Sequence, residues 1–265
     1  MPELLRIKNL RVAFTVGKNT VQAVDWLNLT LEEGVTTVLA GESGSGKSVT
    51  CLAVTKLLPE NALVGPESQI IFENKNLLAL SPHELTDIRG KKIAYVFQEP
   101  SSFLNPVFSI GDQISETVML HQQVTRKKAE EETLQLLSLV RIKEARRVMH
   151  SYPHQLSGGM NQRVFLAMSL ACKPRLLIAD EPTTALDVTT ESAILALLME
   201  LKKTLGFTLL FITHNLSIAV RIADRICIMH RGAIVEDNTV DAIFASPHHT
   251  HTQELIAAYK TIGSL

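Results

Sequence analysis

The octet Gly41-Glu42-Ser43-Gly44-Ser45-Gly46-Lys47-Ser48 holds the densest concentration of chemistry in the sequence. Its glycines permit backbone conformations that a Cβ forbids, so successive amide N–H groups can converge on phosphate oxygens at the positive end of a helix. Lys47 adds a charge for the β and γ phosphates, and the Ser48 hydroxyl offers a ligand for magnesium. Far downstream an apolar run closes on Asp180-Glu181, one acid placed to hold magnesium through water and the other to orient or deprotonate an attacking water. Gln98 and His214 close two further apolar runs, where an amide suits an ion or water and a neutral imidazole suits a γ-phosphate. Ser157-Gly158-Gly159 leaves bare amides at another helix start, a second anion site far from the first. Each outlying motif also has a plainer reading: Gln98 and the acid pair as caps, and His214 as a satisfied structural histidine.

These residues must be carried by particular elements. Thr36–Ala40 reads as a short buried strand and Val49–Leu58 as a helix, so the glycines lie at a strand-to-helix turn. Before them, Leu4–Phe14 and Val21–Leu31 read as strands joined by a turn at Gly17-Lys18-Asn19. Phe14 can lay an aromatic face on an adenine ring or pack into the core like any strand residue. Gln69–Phe72 is a short strand, and Ser81-Pro82-His83-Glu84 is a capping box with proline at the first helical position. Ile93–Phe97 is a buried strand ending at Gln98. From Glu99 to about His150 the pattern turns helical, an insertion in an α/β core, with Ala129, Leu136, Leu137 and Val140 on one face. Ser157 caps a helix whose stripe is Met160, Val164, Ala167, Met168 and Ala171. Leu176–Asp180 is a strand, Ala185-Leu186-Asp187 a turn before a helix, and Phe207–Thr213 the most apolar strand.

A chain of 265 residues with 46% hydrophobic positions buries one large core, or a core with a small inserted subdomain. The net charge of −1 and the short basic runs exclude the electrostatic footprint of a nucleic-acid binder. No stretch approaches the ~20 consecutive apolar residues of a membrane span, and the first residues open no signal-peptide pattern. Cys51, Cys172 and Cys227 stand far apart in apolar settings, as reduced core thiols do.

The motifs occur together, in this order, in the ATP-binding subunits of ABC transporters, which the chain resembles over essentially its whole length. Gly41–Ser48, with Val49 following, matches the Walker A loop, Gln98 the Q-loop and Ser157-Gly158-Gly159 the signature. Leu176–Asp180 matches the Walker B strand with Glu181 as catalytic base, Asp187 the D-loop, His214 the switch histidine and Phe14 the A-loop aromatic. The resemblance implies an α/β fold: a RecA-like P-loop NTPase core (about 1–98 and 172–240) with an N-terminal antiparallel β subdomain. An α-helical signature subdomain (about 99–171) is inserted, and a helical tail (about 241–265) follows. It implies ATP and Mg2+ as cofactors, magnesium held by Ser48, Gln98 and Asp180, and ATP sandwiched in a head-to-tail ATPase dimer. The partners it implies are a second ATPase subunit, a paralogue or this chain itself, two transmembrane permease subunits and, indirectly, an extracytoplasmic solute-binding protein. The place it implies is the cytoplasmic face of the cell membrane.

Finer features resemble the peptide and nickel importers: Gln98-Glu99-Pro100, Leu104-Asn105-Pro106, Leu156–Met160 with Gln162-Arg163, and Ala179–Val188. The cysteine-rich extension of many longer oligopeptide ATPases is missing before Leu265, which tilts the expectation toward nickel or metal-chelate cargo. Met160, Asn161 and Asn215 depart from the commoner residues without removing a catalytic group. His248, His249 and His251 stand where the subgroup has Pro-x-His-Pro-Tyr-Thr, and either bind a metal or form a polar helix start. The alternatives are a soluble ABC-type ATPase without a channel, of the carbon-phosphorus-lyase accessory or DNA-repair and translation type, and a kinase on the same loop. The signature and His214 argue against the kinase.

Overall fold

The computed structural model describes residues 2–184 and 186–262, in two compact units: residues 1–85 with 208–265, and residues 86–207. The first unit opens with two long strands, β1 (Glu3–Val16) and β2 (Asn19–Glu32), paired antiparallel around the turn the glycine marks. Their inward residues, among them Leu5, Ile7, Leu10, Val24, Leu27 and Leu31, are fully buried, and shifts of register between Ile7 and Leu10 and between Leu10 and Val12 interrupt the period-two alternation. β3 (Thr36–Ala40) is buried at every position and runs directly into the glycine loop and helix α1 (Lys47–Val54). Short strands β4 (Ala62–Val64), β5 (Gln69–Phe72) and β6 (Lys75–Asn76) complete the antiparallel sheet against β1, and the short helix α2 (Pro82–Thr86) follows. Ser81 caps α2: its N–H and hydroxyl donate to Glu84 Oε2 at 2.8 and 2.7 Å, and its Oγ accepts from Glu84 N at 3.3 Å.

The second unit holds one parallel strand pair and the helices. β7 (Ile93–Val96) is followed by α3 (Pro100–Phe103), α4 (Ile110–Gln122), α5 (Arg126–Leu139), α6 (Ala145–Met149) and α7 (Gly158–Leu170). β8 (Leu176–Asp180) then pairs with β7 in parallel, and α8 (Val188–Leu205) closes the unit. Ser169 of α7 donates its hydroxyl to Tyr95 O of β7 at 2.7 Å, tying helix to strand.

The chain returns to the first unit with β9 (Thr208–Thr213), α9 (Leu216–Ile222), β10 (Arg225–His230), β11 (Ala233–Thr239), α10 (Val240–Ala245) and α11 (Thr250–Ile262). Here the strand order is β11-β10-β3-β9, with β3 parallel to both neighbours and β11 antiparallel at the edge. The buried apolar runs of β3, β9 and β10 are what a parallel sheet covered on both faces requires. No helix among the described residues is long and apolar enough to cross a membrane.

Candidate functional site

In the first unit the sheet register positions the chemistry. Ala40 of β3 lies opposite Thr213 of β9 and Ile228 of β10, so the glycine loop, His214 and His230 all leave the sheet at its carboxyl end. The loop is fixed from within: Ser45 N donates to Glu42 O at 3.2 Å, and Gly232 N to Ser45 O at 3.0 Å. Gly46 caps α1 with φ +105°, and its carbonyl accepts both Thr50 N (2.9 Å) and Thr50 Oγ1 (3.0 Å). A Cβ on Gly46 would press on the carbonyl oxygen of Ala23 and come within 2.7 Å of Met229 Cε. Lys47 is buried, and its ammonium donates to Gly41 O and Glu42 O, each at 2.8 Å. Ser45 Oγ is buried without a hydrogen-bond partner. An orphaned hydroxyl, a buried ammonium and a backbone cradle that a Cβ would fill are a donor set that fits phosphate oxygens.

The exposed Ser48 hydroxyl and the partly buried Val49 begin α1. Glu42, Ser43 and Gly44 form the exposed crest of the loop. His214 is exposed immediately after β9, and a pocket of about 260 Å3 lies among Gly41, Glu42, Ser43, His214, Leu216 and Leu255. Phe14 is half-buried near the end of β1, paired with Val21 and Ala62.

In the second unit, Val96 of β7 lies opposite Ala179 of β8, so Gln98 and the Asp180-Glu181 pair emerge at the same end of the strand pair. Asp180 and Glu181 are half-buried and Gln98 is exposed. Glu181 adopts φ +46°, the left-handed region, in a turn closed by Thr184 N donating to Glu181 O at 3.3 Å. The Thr184 hydroxyl donates to Glu181 Oε2 at 3.1 Å.

Ser157 caps α7 by accepting Met160 N at 3.3 Å, which leaves the first-turn amides of Gly158 and Gly159 at an exposed helix start. A Cβ on Gly159 would meet Thr190 Cγ2 at 2.7 Å, so a side chain there would have to displace Thr190 at the approach of α7 to α8. Asp187 caps α8: Oδ1 accepts Thr190 N at 3.0 Å and Oδ2 accepts the Thr190 hydroxyl at 2.7 Å. Those hydrogen bonds hold its carboxyl below the usual carboxylate range. Ala185, of the Ala185-Leu186-Asp187 stretch, lies outside the described residues.

Thr184 and Thr190 were not singled out from sequence, although their i+3 spacing from Glu181 and Asp187 was the available signal. The α7 stripe also differs from expectation. Met160 and Met168 are half-buried while Asn161 and Gln162 are buried, because Asn161 Nδ2 turns inward to donate to Pro153 O at 3.0 Å. The cysteines divide: Cys51 and Cys227 are buried and Cys172 is half-buried.

A phosphate cradle on a parallel sheet edge, with an acid pair and a glycine-opened helix elsewhere in the chain, is the equipment of an ATP-binding cassette. The family model described as "ABC transporter" matches residues 24–184, and the chain belongs to that family. It is 48% identical over 255 residues to the peptidoglycan transport ATP-binding protein YejF of Agrobacterium fabrum, covering 96% of this chain and 47% of that protein. It is 43% identical over 261 residues to the oligopeptide transport ATP-binding protein OppD of Bacillus subtilis, covering 98% and 73%. Against the glutathione import ATP-binding protein GsiA of Pectobacterium atrosepticum it is 44% identical, covering all of this chain and 44% of that one. The chain thus spans about half the length of the first of the curated relatives it matches. Among solved structures, the dimeric cassette MJ0796 in a post-hydrolysis state bound to ADP and Pi superposes with a TM-score of 0.79 at 29% identity, covering 89% of this chain and 99% of that one. The fold is therefore the mixed α/β fold of these cassettes, an antiparallel β subdomain beside a parallel sheet with helices.

Proposed function

We propose that this chain is an ATP-hydrolysing subunit that energises import of a small, peptide-type solute through membrane partners. One observation carries the reading: the shared register of Ala40 and Thr213 brings the phosphate cradle and His214 to one sheet edge, in a chain of the ABC transporter family. In this reading the Gly41–Val49 stretch and Lys47 take the phosphates, Phe14 takes the adenine, and Ser48, Gln98 and Asp180 hold magnesium. Bound magnesium supplies Lewis-acid stabilisation of the phosphate charge. Glu181 orients or deprotonates the attacking water, with one carboxylate oxygen steadied by Thr184, and His214 reaches the γ-phosphate. Ser157, Gly158, Gly159 and Asp187 serve the nucleotide of a second ATPase subunit, a paralogue or a second copy, in keeping with the dimeric structure of the solved neighbour MJ0796.

Cargo of the peptide type, rather than nickel, is supported by relatives named for peptidoglycan, glutathione and oligopeptide transport. Two permease subunits would recruit the chain to the cytoplasmic face of the membrane, with a solute-binding protein acting on the far side.

The test is a pull-down of the tagged Glu181→Gln chain from gently solubilised membranes with ATP. Two polytopic proteins and a second ATPase should co-purify. Recovery of soluble partners alone would remove the import reading and favour the channel-free accessory ATPase.

A further inference from the structure

Three ligands from distant parts of the sequence meet beside the phosphate loop. Ala40 and Ile228 are opposite one another in parallel strands, and Glu42 and His230 each lie two residues further on, at the same sheet edge. α11 brings His251 to that edge: the His230 and His251 rings lie 3.9 Å apart between centroids, with planes inclined 33°. One ligand atom from each of Glu42, His230 and His251 lies within 4.8 Å of the other two, the one such group among the described residues.

His251 supplies the second observation. It is 7% exposed, and its Nε2 is buried with no hydrogen-bond partner. A buried imidazole nitrogen left unsatisfied is costly, and a cation would satisfy it. Its other nitrogen, Nδ1, lies 3.9 Å from Glu254 Oε2, the kind of carboxylate that orients a ligating histidine. The adjacent histidines do other work. His248 and His249 donate backbone N–H groups to Glu236 at 2.9 and 3.2 Å, and His249 Nδ1 accepts His251 N at 3.2 Å. Of the three histidines close in sequence, only His251 belongs to the group.

We propose that Glu42, His230 and His251 form a binding site for a divalent cation of the zinc–nickel class. Two imidazoles and one carboxylate suit such borderline ions, whereas magnesium and calcium favour all-oxygen shells. Bonds of about 2.0–2.2 Å require ligand-atom separations, now within 4.8 Å, to shorten by at most roughly 1.5 Å. The exposed Glu42 side chain can supply most of that movement. An occupied site joins the phosphate loop, the end of β10 and α11 through one ion. The site stands independently of the nucleotide reading.

The test uses the tag-free, nucleotide-free chain, titrated with Zn2+ against a chromophoric chelator, with Co2+ absorption and the thermal midpoint as further readouts. One Zn2+ should bind per chain and raise the midpoint. His230→Phe and His251→Phe should each weaken binding by more than about 100-fold, beyond the roughly 10–100-fold expected of outer-shell partners. Glu42→Gln, on the exposed crest, should weaken it at least about tenfold without disturbing the fold, and His248→Ala should leave it unchanged. Absence of Zn2+ binding in the parent chain would overturn the proposal. So would parental affinity in the folded phenylalanine variants, or equal loss in His248→Ala, which would assign binding to the exposed turn.

Discussion

Two glycines of the same loop should respond very differently to one added methyl group. Gly44 and Gly46 both have positive φ, +80° and +105°, but a Cβ on Gly44 meets nothing within 4 Å. A Cβ on Gly46 meets the Ala23 carbonyl oxygen and Met229 Cε at 2.7 Å. For Gly44→Ala the left-handed backbone costs about 1 kcal/mol, and reduced freedom of the unfolded chain returns about 0.4–1 kcal/mol, so the net change is below about 1 kcal/mol. For Gly46→Ala the backbone term is about 1–3 kcal/mol, and the overlap adds a similar amount because a main-chain oxygen cannot rotate away. A net loss of about 3 kcal/mol follows, a fall in melting temperature of roughly 6–12 °C against less than about 4 °C for Gly44→Ala. Circular dichroism of the two variants without nucleotide measures the difference. Because Gly46 caps α1 just before Lys47, the same displacement should weaken binding of a fluorescent ATP analogue at least about tenfold. Equal melting temperatures for the two variants would refute the steric reasoning, whatever happens to nucleotide binding.

Glu181→Gln should retain ATP binding and lower phosphate release by about 100-fold or more, measured on the assembled ATPase; unchanged hydrolysis would remove Glu181 from the proposed role. Burial pushes the Cys172 thiol up to about 11. The thiolate fraction at pH 8 is then about one in a thousand, so iodoacetamide labelling followed by mass spectrometry should be slow and rise about tenfold per pH unit toward pH 11. Because the folded value lies above the unfolded one, the associated stability is present below about pH 9 and lost as pH rises through about 11. Rapid labelling at pH 8 would contradict this. Asp187→Asn should keep the α8 cap and the parental melting temperature, whereas Asp187→Ala should lower it; equal melting of both would show that the cap contributes little.

Where local chemistry decides the backbone, the sequence was a reliable guide. β3 and β8 have the expected bounds because each is a short apolar run stopped by a glycine loop or an acid pair. The Ser81–Glu84 capping box forms as its spacing requires. α1 differs: Val49–Leu58 was expected, but the helix spans Lys47–Val54. Lys56 takes φ +54° and Leu57 N reaches back to Leu52 O at 2.9 Å, a helix stop that needs no glycine and precedes Pro59. The meeting of Glu42, His230 and His251 was not legible, because it depends on which strands become neighbours and where α11 lands. Of the sequence cluster His248, His249 and His251, only His251 lies beside Glu42 and His230.

Glu181 illustrates why residues at such a site resist reading from propensity alone. A non-glycine residue at φ +46° carries a conformational cost of about 1–2 kcal/mol, which glycine at the same position would avoid. Glycine would also remove the carboxylate that Thr184 steadies. The turn starts at the end of β8, whose four preceding residues are buried, so the strand cannot shift to relieve it. The cost is therefore borne by the fold, and the Thr184 hydroxyl holds one oxygen of the carboxylate. Local preference and global structure disagree at the one acid proposed to handle the attacking water, which is where a functional constraint is expected to outweigh propensity.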